Sequence, residues 1–177
     1  MNLSQNYFDL FGLDVGFSID RAALDTAFRE LQKEYHPDRF AHKSDAEQRK
    51  AVQNSTHLNT AYDALKSPLL RAQYLLSLQG VPTGEESRKQ LPMDFLMQQM
   101  ELRETLAGAP EAADPFLTLE SLESQTVELE KESFDVFQAA YLGGDLELAE
   151  ESVRKLQFLK KLLSEIEAME DRLDEEF

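Results

Sequence analysis

Cysteine is absent from the 177 residues. That excludes disulfides, zinc ribbons, thiol nucleophiles and any cysteine-ligated cluster held by this chain alone. Positive charge is scarce. Lys+Arg number 18 against 34 Asp+Glu, a net charge of −16, and nucleic-acid binding needs the opposite, a basic footprint. The longest uncharged apolar run, near Leu75, is far too short to span a bilayer. The opening MNLSQNYFDLFG has neither the basic region of a signal peptide nor the arginines of a transit peptide, so a reducing cytoplasm is the expected compartment. Catalytic signatures are missing as well: there is no GxSxG, P-loop or GxGxxG. His36, His42 and His57 stand in no metal-ligand spacing. Acid pairs such as Glu101 and Glu104 are ordinary on a solvated helix face. Neither a catalytic residue, nor a metal, nor a cofactor is expected. The Asn54-Ser55-Thr56 sequon falls inside a helical pattern and reads as accidental.

What is present is an ordinary globular balance, 42% hydrophobic and 29% charged residues. The charge is unevenly spread. Residues 1–78 hold 9 Lys+Arg and 10 Asp+Glu, whereas residues 79–177 hold 9 and 24. Two electrostatic characters suggest two domains. The breaker cluster Gly80-Val81-Pro82-Thr83-Gly84 falls at the change. The expected division is a domain over 1–78, a linker over 79–90 and a second domain over 91–177.

Both halves read as helices, with no convincing strand pattern. Asn6 to Phe11 is a short segment stopped at Gly12. Asp20 caps a helix whose apolar face is Leu24, Phe28, Leu31 and Tyr35, ended by Pro37. A polar loop over 36–44 precedes a run with Val52, Ser55, Leu58, Tyr62 and Leu65 inward. Ser67-Pro68 is a cap followed by proline at the first helical position, opening a helix to Leu78. In the second half, Met93 to Leu106 ends at Gly108. Asp114-Pro115 opens a long helix with Phe116, Leu119, Leu122, Thr126, Leu129 and Phe137 inward, broken at Gly143-Gly144. Asp145 caps a last helix with Ala149, Val153, Leu156, Leu159, Leu163, Ile166 and Leu173 inward, and DRLDEEF closes as a frayed acidic end. Three long helices with short connections pack as an antiparallel bundle.

The loop Tyr35-His36-Pro37-Asp38-Arg39-Phe40 stands apart. Arg29 and Lys33 precede it, four residues apart on one helix face. Proline fixes the turn, and Asp38 offers a carboxylate able to accept a bidentate bond from a partner arginine. A plain helix corner with a proline stop is the competing reading.

His36-Pro37-Asp38 between two amphipathic helices resembles a J domain, the module that stimulates ATP hydrolysis by Hsp70 chaperones. Asn59-Thr-Ala-Tyr62-Asp-Ala-Leu65 and Ser67-Pro68-Leu-Leu-Arg71-Ala-Gln-Tyr74 match its third helix and following segment. The remaining segments narrow the likeness. Tyr7-Phe8-Asp-Leu-Phe11, Phe95-Leu96-Met97-Gln-Gln-Met100-Glu101-Leu102-Arg103-Glu104 and Val153-Arg154-Lys155-Leu156-Gln-Phe158-Leu159 resemble the HscB family, J-type co-chaperones of iron–sulfur cluster assembly.

The resemblance implies an all-α fold, with an N-terminal J domain and a C-terminal antiparallel three-helix bundle. The two make an L shape if Leu70, Leu75 and Leu76 pack against the bundle, whereas a loose linker permits many relative orientations. It implies an HscA-type Hsp70 contacted through His36, Pro37, Asp38, Arg29, Lys33 and Arg39, the last standing where lysine is more usual. It also implies an IscU-type iron–sulfur scaffold contacted through Leu96, Met97, Met100, Glu101, Glu104 and Phe158. Read from the residues alone, the Met stripe fits either an adaptable apolar contact or filling of the bundle core. Of these six, Leu96 and Met100 are expected to serve both purposes.

Overall fold

The computed structural model describes residues 2, 4–84 and 91–176. Among these, every regular element is helical. The chain divides into two compact units, Met1–Gln79 and Gly80–Phe177. Residues 85–90 of the expected linker lie outside the described residues.

The first unit contains α1 (Tyr7–Phe11), α2 (Arg21–Tyr35), α3 (Asp45–Lys66) and α4 (Pro68–Leu78). Short polar side chains start the helices. Asn6, Asp20 and Ser67 each accept backbone N–H groups of the first turn, and Pro68 follows Ser67 at the first helical position. Gly12 ends α1 in the left-handed region, at φ 65°. Helix α2 packs on α3. The Phe28 ring stacks on Tyr62 at 3.9 Å between centroids. Beside that stack, Tyr62 Oη donates to Asp25 Oδ1 at 2.9 Å and Arg21 Nε donates to the same oxygen at 2.8 Å. These bonds, Arg21 first, hold the Asp25 carboxyl below its usual range. The buried side of α3 is Ala51, Asn54, Leu58, Ala61 and Leu65. Val52 is exposed, contrary to the sequence reading. At about 100° per residue it falls well off that stripe. Burial of Asn54 also leaves the sequon as an accident of sequence.

The second unit contains α5 (Met93–Gly108), α6 (Pro115–Gly143) and α7 (Leu146–Glu176). Helices α6 and α7 pack along much of their length, and the shorter α5 contacts both. Asp114 accepts from the Leu117 N–H at 3.0 Å and Asp145 from the Leu148 N–H at 3.0 Å, capping α6 and α7. Gly144, at φ 77°, supplies the left-handed turn between them. The core joins Phe95, Leu102 and Leu106 of α5 to Leu119 and Leu122 of α6, and to Leu159, Leu162, Ile166 and Leu173 of α7.

Three sequence expectations need correction here. Phe116 is exposed, because it lies about 60° beyond the inner stripe of Leu119, Leu122 and Phe137. Leu162, not Leu163, reaches the core. Spacings of three from Val153 through Leu156 and Leu159 turn the buried stripe about 60° per step, and that rotation selects Leu162. The acidic end does not fray at Asp171: α7 runs on to Glu176 and buries Leu173.

Candidate functional site

Two surfaces gather the residues singled out in the sequence, one in each unit. In the first, Pro37 stops α2, and residues Pro37–Phe40 form a 3-10 turn. Within the polar loop expected over 36–44, residues 37–40 are thus the turn that Pro37 was expected to fix. His36 caps it: its Nδ1 accepts the Asp38 N–H at 3.3 Å. The Asp38 carboxylate also lies 3.6 Å from that nitrogen. A lone pair that accepts an N–H leaves no proton at Nδ1 for a charge pair, so the cap is the controlling contact. Among the described residues the exposed Asp38 carboxylate has no other ion-pair partner.

Arg39 folds back. Its Nη1 donates to the Lys33 carbonyl at 2.9 Å, on the last turn of α2. A cation there satisfies an orphan carbonyl and complements the helix dipole. Arg29, Lys33 and Arg39 thus form a positive edge that ends at Asp38. Arg29 and Lys33 are exposed, and neither pairs with a carboxylate among the described residues.

The far side of the turn is tied to α3. Gln48 Nε2 donates to the Ala41 and Lys43 carbonyls at 3.2 and 3.0 Å. Ser44 and Glu47 exchange bonds in a capping box, with the Ser44 N–H donating to Glu47 Oε2 at 3.1 Å and the Glu47 N–H to Ser44 Oγ at 3.4 Å. These Ser44 bonds hold the Glu47 carboxyl below its usual range. Ser44, Glu47 and Gln48 were missed in the sequence, although Ser-x-x-Glu is a readable signal.

The second surface lies on α5. Phe95, Leu102 and Leu106 point into the core, which leaves the opposite face outward. Met97 and Met100 are 58% and 63% exposed, so core filling is not their role. Leu96 is 37% exposed and also stands outside the core cluster. The expectation that Leu96 and Met100 serve both purposes is corrected: α5 spends its core face on Phe95 and Leu102. Glu101 and Glu104 are exposed beside this stripe.

Phe158 is placed differently. It is half-buried against the core, edge-on to Phe95 at 5.8 Å, with the Arg103 guanidinium 5.3 Å from its ring centroid. Arg103 is itself held by Glu165 at 3.2 Å. A partner meeting Phe158 therefore also meets Arg103. Met93, one turn before Met97, extends the stripe and was not singled out. Around the corner, Asp94, Phe95, Met97, Gln98, Glu101 and Lys155 line an open cleft of about 420 Å³. Lys155 is occupied there by Glu151 at 2.8 Å and by the Phe95 ring.

Comparison with known proteins bears on both units. A family model described as the DnaJ domain matches residues 6–74. One described as the HSCB C-terminal oligomerisation domain matches residues 91–167. A co-chaperone protein HscB homolog of Vibrio cholerae is 42% identical over 95% of this chain and 98% of its own. The solved structure of the chaperone HscB from Vibrio cholerae matches with a TM-score of 0.86 at 40% identity, covering 96% of this chain and 99% of that one. The crystal structure of the human co-chaperone protein HscB matches with a TM-score of 0.87 at 30% identity, covering 95% and 83%. Among the described residues no helix is long and apolar enough to cross a membrane. With a J domain ahead of an HscB C-terminal domain, and relatives aligned over nearly its whole length, this chain belongs to the HscB family of J-domain co-chaperones.

Proposed function

We propose that this chain is an adaptor without an active site of its own, which holds an IscU-type iron–sulfur scaffold and presents it to an HscA-type Hsp70. Residues 1–78 are the Hsp70-facing part and residues 91–177 the scaffold-facing part. Asp38 accepts a bidentate bond from an arginine of the Hsp70. Arg29, Lys33 and Arg39 match an acidic surface on it and speed encounter. Docking there stimulates ATP hydrolysis, and hydrolysis closes the Hsp70 on the scaffold. Leu96, Met97, Met100 and Phe158 give the scaffold an apolar contact, and Glu101 and Glu104 fix its orientation. One chain bearing both contacts raises the scaffold's effective concentration at the Hsp70. Cluster ligands belong to the scaffold, since this chain has no cysteine. A cytoplasmic place of action fits such partners.

The observation that carries the reading is the pair of uncommitted surfaces on one chain: a capped turn with a free carboxylate, and an apolar stripe that the core does not use. Titration calorimetry of Asp38→Asn and Met97→Ala against each partner tests it. Asp38→Asn is expected to bind scaffold like the wild type while losing productive Hsp70 contact. Met97→Ala is expected to weaken scaffold binding about tenfold, the usual scale for a lost central apolar contact. Loss of scaffold binding in Asp38→Asn, or its full retention in Met97→Ala, contradicts this division of labour.

A further inference from the structure

We infer that Met93, Met97 and Met100 form an oxidisable thioether site on α5, at which a peroxide-class oxygen donor lowers scaffold affinity; the functional half of this inference rests on the scaffold reading above. The chain has no cysteine, so its sulfur chemistry is confined to five methionines. Met1 lies outside the described residues. Three of the other four occupy one outward face of α5, at spacings of four and three, and are 72%, 58% and 63% exposed in chain order. Nothing in the packing of the bundle asks for methionine at these positions. The fourth, Met169, is an internal contrast. It is half-buried against the core, and its sulfur accepts a bond from Arg172 Nη2 at 3.0 Å. One of its two lone pairs is engaged, and contact with the core covers more of it than of the other three.

The chemistry follows from exposure. A thioether sulfur attacks one oxygen of hydrogen peroxide, an S–O bond forms and the O–O bond breaks. Sulfur is oxidised by two electrons, and the other peroxide oxygen leaves as water with both protons. The product sulfoxide is a strong acceptor where an apolar group stood. At an exposed helix face this leaves the fold intact. On an apolar contact stripe it introduces polar groups that a matching apolar partner cannot satisfy. A bound scaffold in turn covers Met97 and Met100 and shields them. Sulfoxide reductases return the thioether, so the change is reversible.

The test treats the full chain with hydrogen peroxide and maps sulfoxides by peptide mass spectrometry. Scaffold affinity is measured before treatment, after it, and after methionine sulfoxide reductase. The expected result is oxidation at Met93, Met97 and Met100 about tenfold faster than at Met169, unchanged circular dichroism, and scaffold affinity about tenfold weaker, restored by the reductase. Excess scaffold slows Met97 and Met100 more than Met93. In Met93→Leu/Met97→Leu/Met100→Leu the affinity is the same before and after peroxide, whatever its starting value. Oxidation of Met169 at the rate of the other three overturns the inference, as does unchanged affinity of the oxidised chain. Should the untreated protein not bind the scaffold at all, the scaffold reading itself fails and the switch with it, while the oxidation pattern stands or falls separately.

Discussion

Leu102 and Met100 are two residues apart on α5, and truncating each to alanine should have opposite consequences. Leu102 is 2% exposed and belongs to the bundle core. Leu102→Ala removes its transfer free energy and leaves a cavity, a loss of about 2–5 kcal/mol. Met100 is 63% exposed. Full burial of a Met side chain is worth about 1.5–3 kcal/mol, so the covered third contributes about 0.5–1 kcal/mol. Alanine's better helix propensity returns a few tenths of that. Met100→Ala should therefore be nearly silent in stability and weaken scaffold binding about tenfold. The assay is urea unfolding read by two signals. Residues 7, 35, 62 and 74 hold four of the five tyrosines and lie in the first unit. Tyrosine fluorescence follows mainly that unit, whereas far-UV circular dichroism follows both. The transition of the second unit, seen by circular dichroism and only weakly by tyrosine fluorescence, should move sharply with Leu102→Ala and hardly with Met100→Ala. Equal losses would mean that Met100 is a packing residue, which would refute the outward stripe. An unchanged scaffold affinity in a stable Met100→Ala would place the contact elsewhere.

Three further outcomes follow from charge and capping. Arg21 and Tyr62 hold the Asp25 carboxyl below its usual range. A depressed carboxyl contributes stability that is present above its unfolded value and lost as pH falls through its folded value. Tyr62→Phe keeps the ring on Phe28 but removes one donor, so its deficit in urea midpoint should be largest at neutral pH and close in acid; a constant deficit would assign the effect to packing. Glu170 has the opposite sign: burial, then Glu123, Asp174, Asp171 and Glu167, raise its carboxyl pKa. Its raised value costs stability at neutral pH and relieves that cost as pH falls, so Glu170→Gln should raise the melting temperature at pH 7 and leave it unchanged in acid. Equal gains at both pH values would contradict the charge argument. Ser44→Ala removes the capping box at α3, a loss of about 0.5–2 kcal/mol. It should speed amide exchange across residues 36–48; protection equal to the wild type would show that Gln48 and the 3-10 turn hold the segment without it.

How much of this was legible depends on how local the physics is. Asp20, Ser67-Pro68, Asp114 and Asp145 all cap helices where the sequence places them, because a cap involves one side chain and the next turn. Inner faces were less legible, because the neighbouring helix decides them. Val52 and Phe116 are apolar and periodic yet exposed, and Leu163 yields its place to Leu162 through a stripe that rotates along α7. Helix α5 is the hardest case. Phe95, Leu96, Met97, Met100, Leu102 and Leu106 surround the axis, so periodicity alone cannot select the core side; packing against α6 and α7 does. The turn around Asp38 was legible as a turn but not as a braced one. The Arg39 contact with the Lys33 carbonyl arises only once the 3-10 geometry brings the chain back over α2. Ser44-x-x-Glu47 is a readable capping signal, but the polar residues around it look like loop, and only the start of α3 at Asp45 gives the cap its helix.

The proposed function requires that one chain couple scaffold capture to Hsp70 activation. The deciding experiment is the steady-state ATPase rate of an HscA-type Hsp70 with scaffold alone, with this protein alone, with both, and with scaffold plus the Asp38→Asn form of this protein. Stimulation by the pair should go well beyond the product of the two separate effects and be abolished by Asp38→Asn. Equal stimulation with and without scaffold would contradict the coupling, and stimulation that survives Asp38→Asn would contradict the role assigned to the His36-Pro37-Asp38 turn.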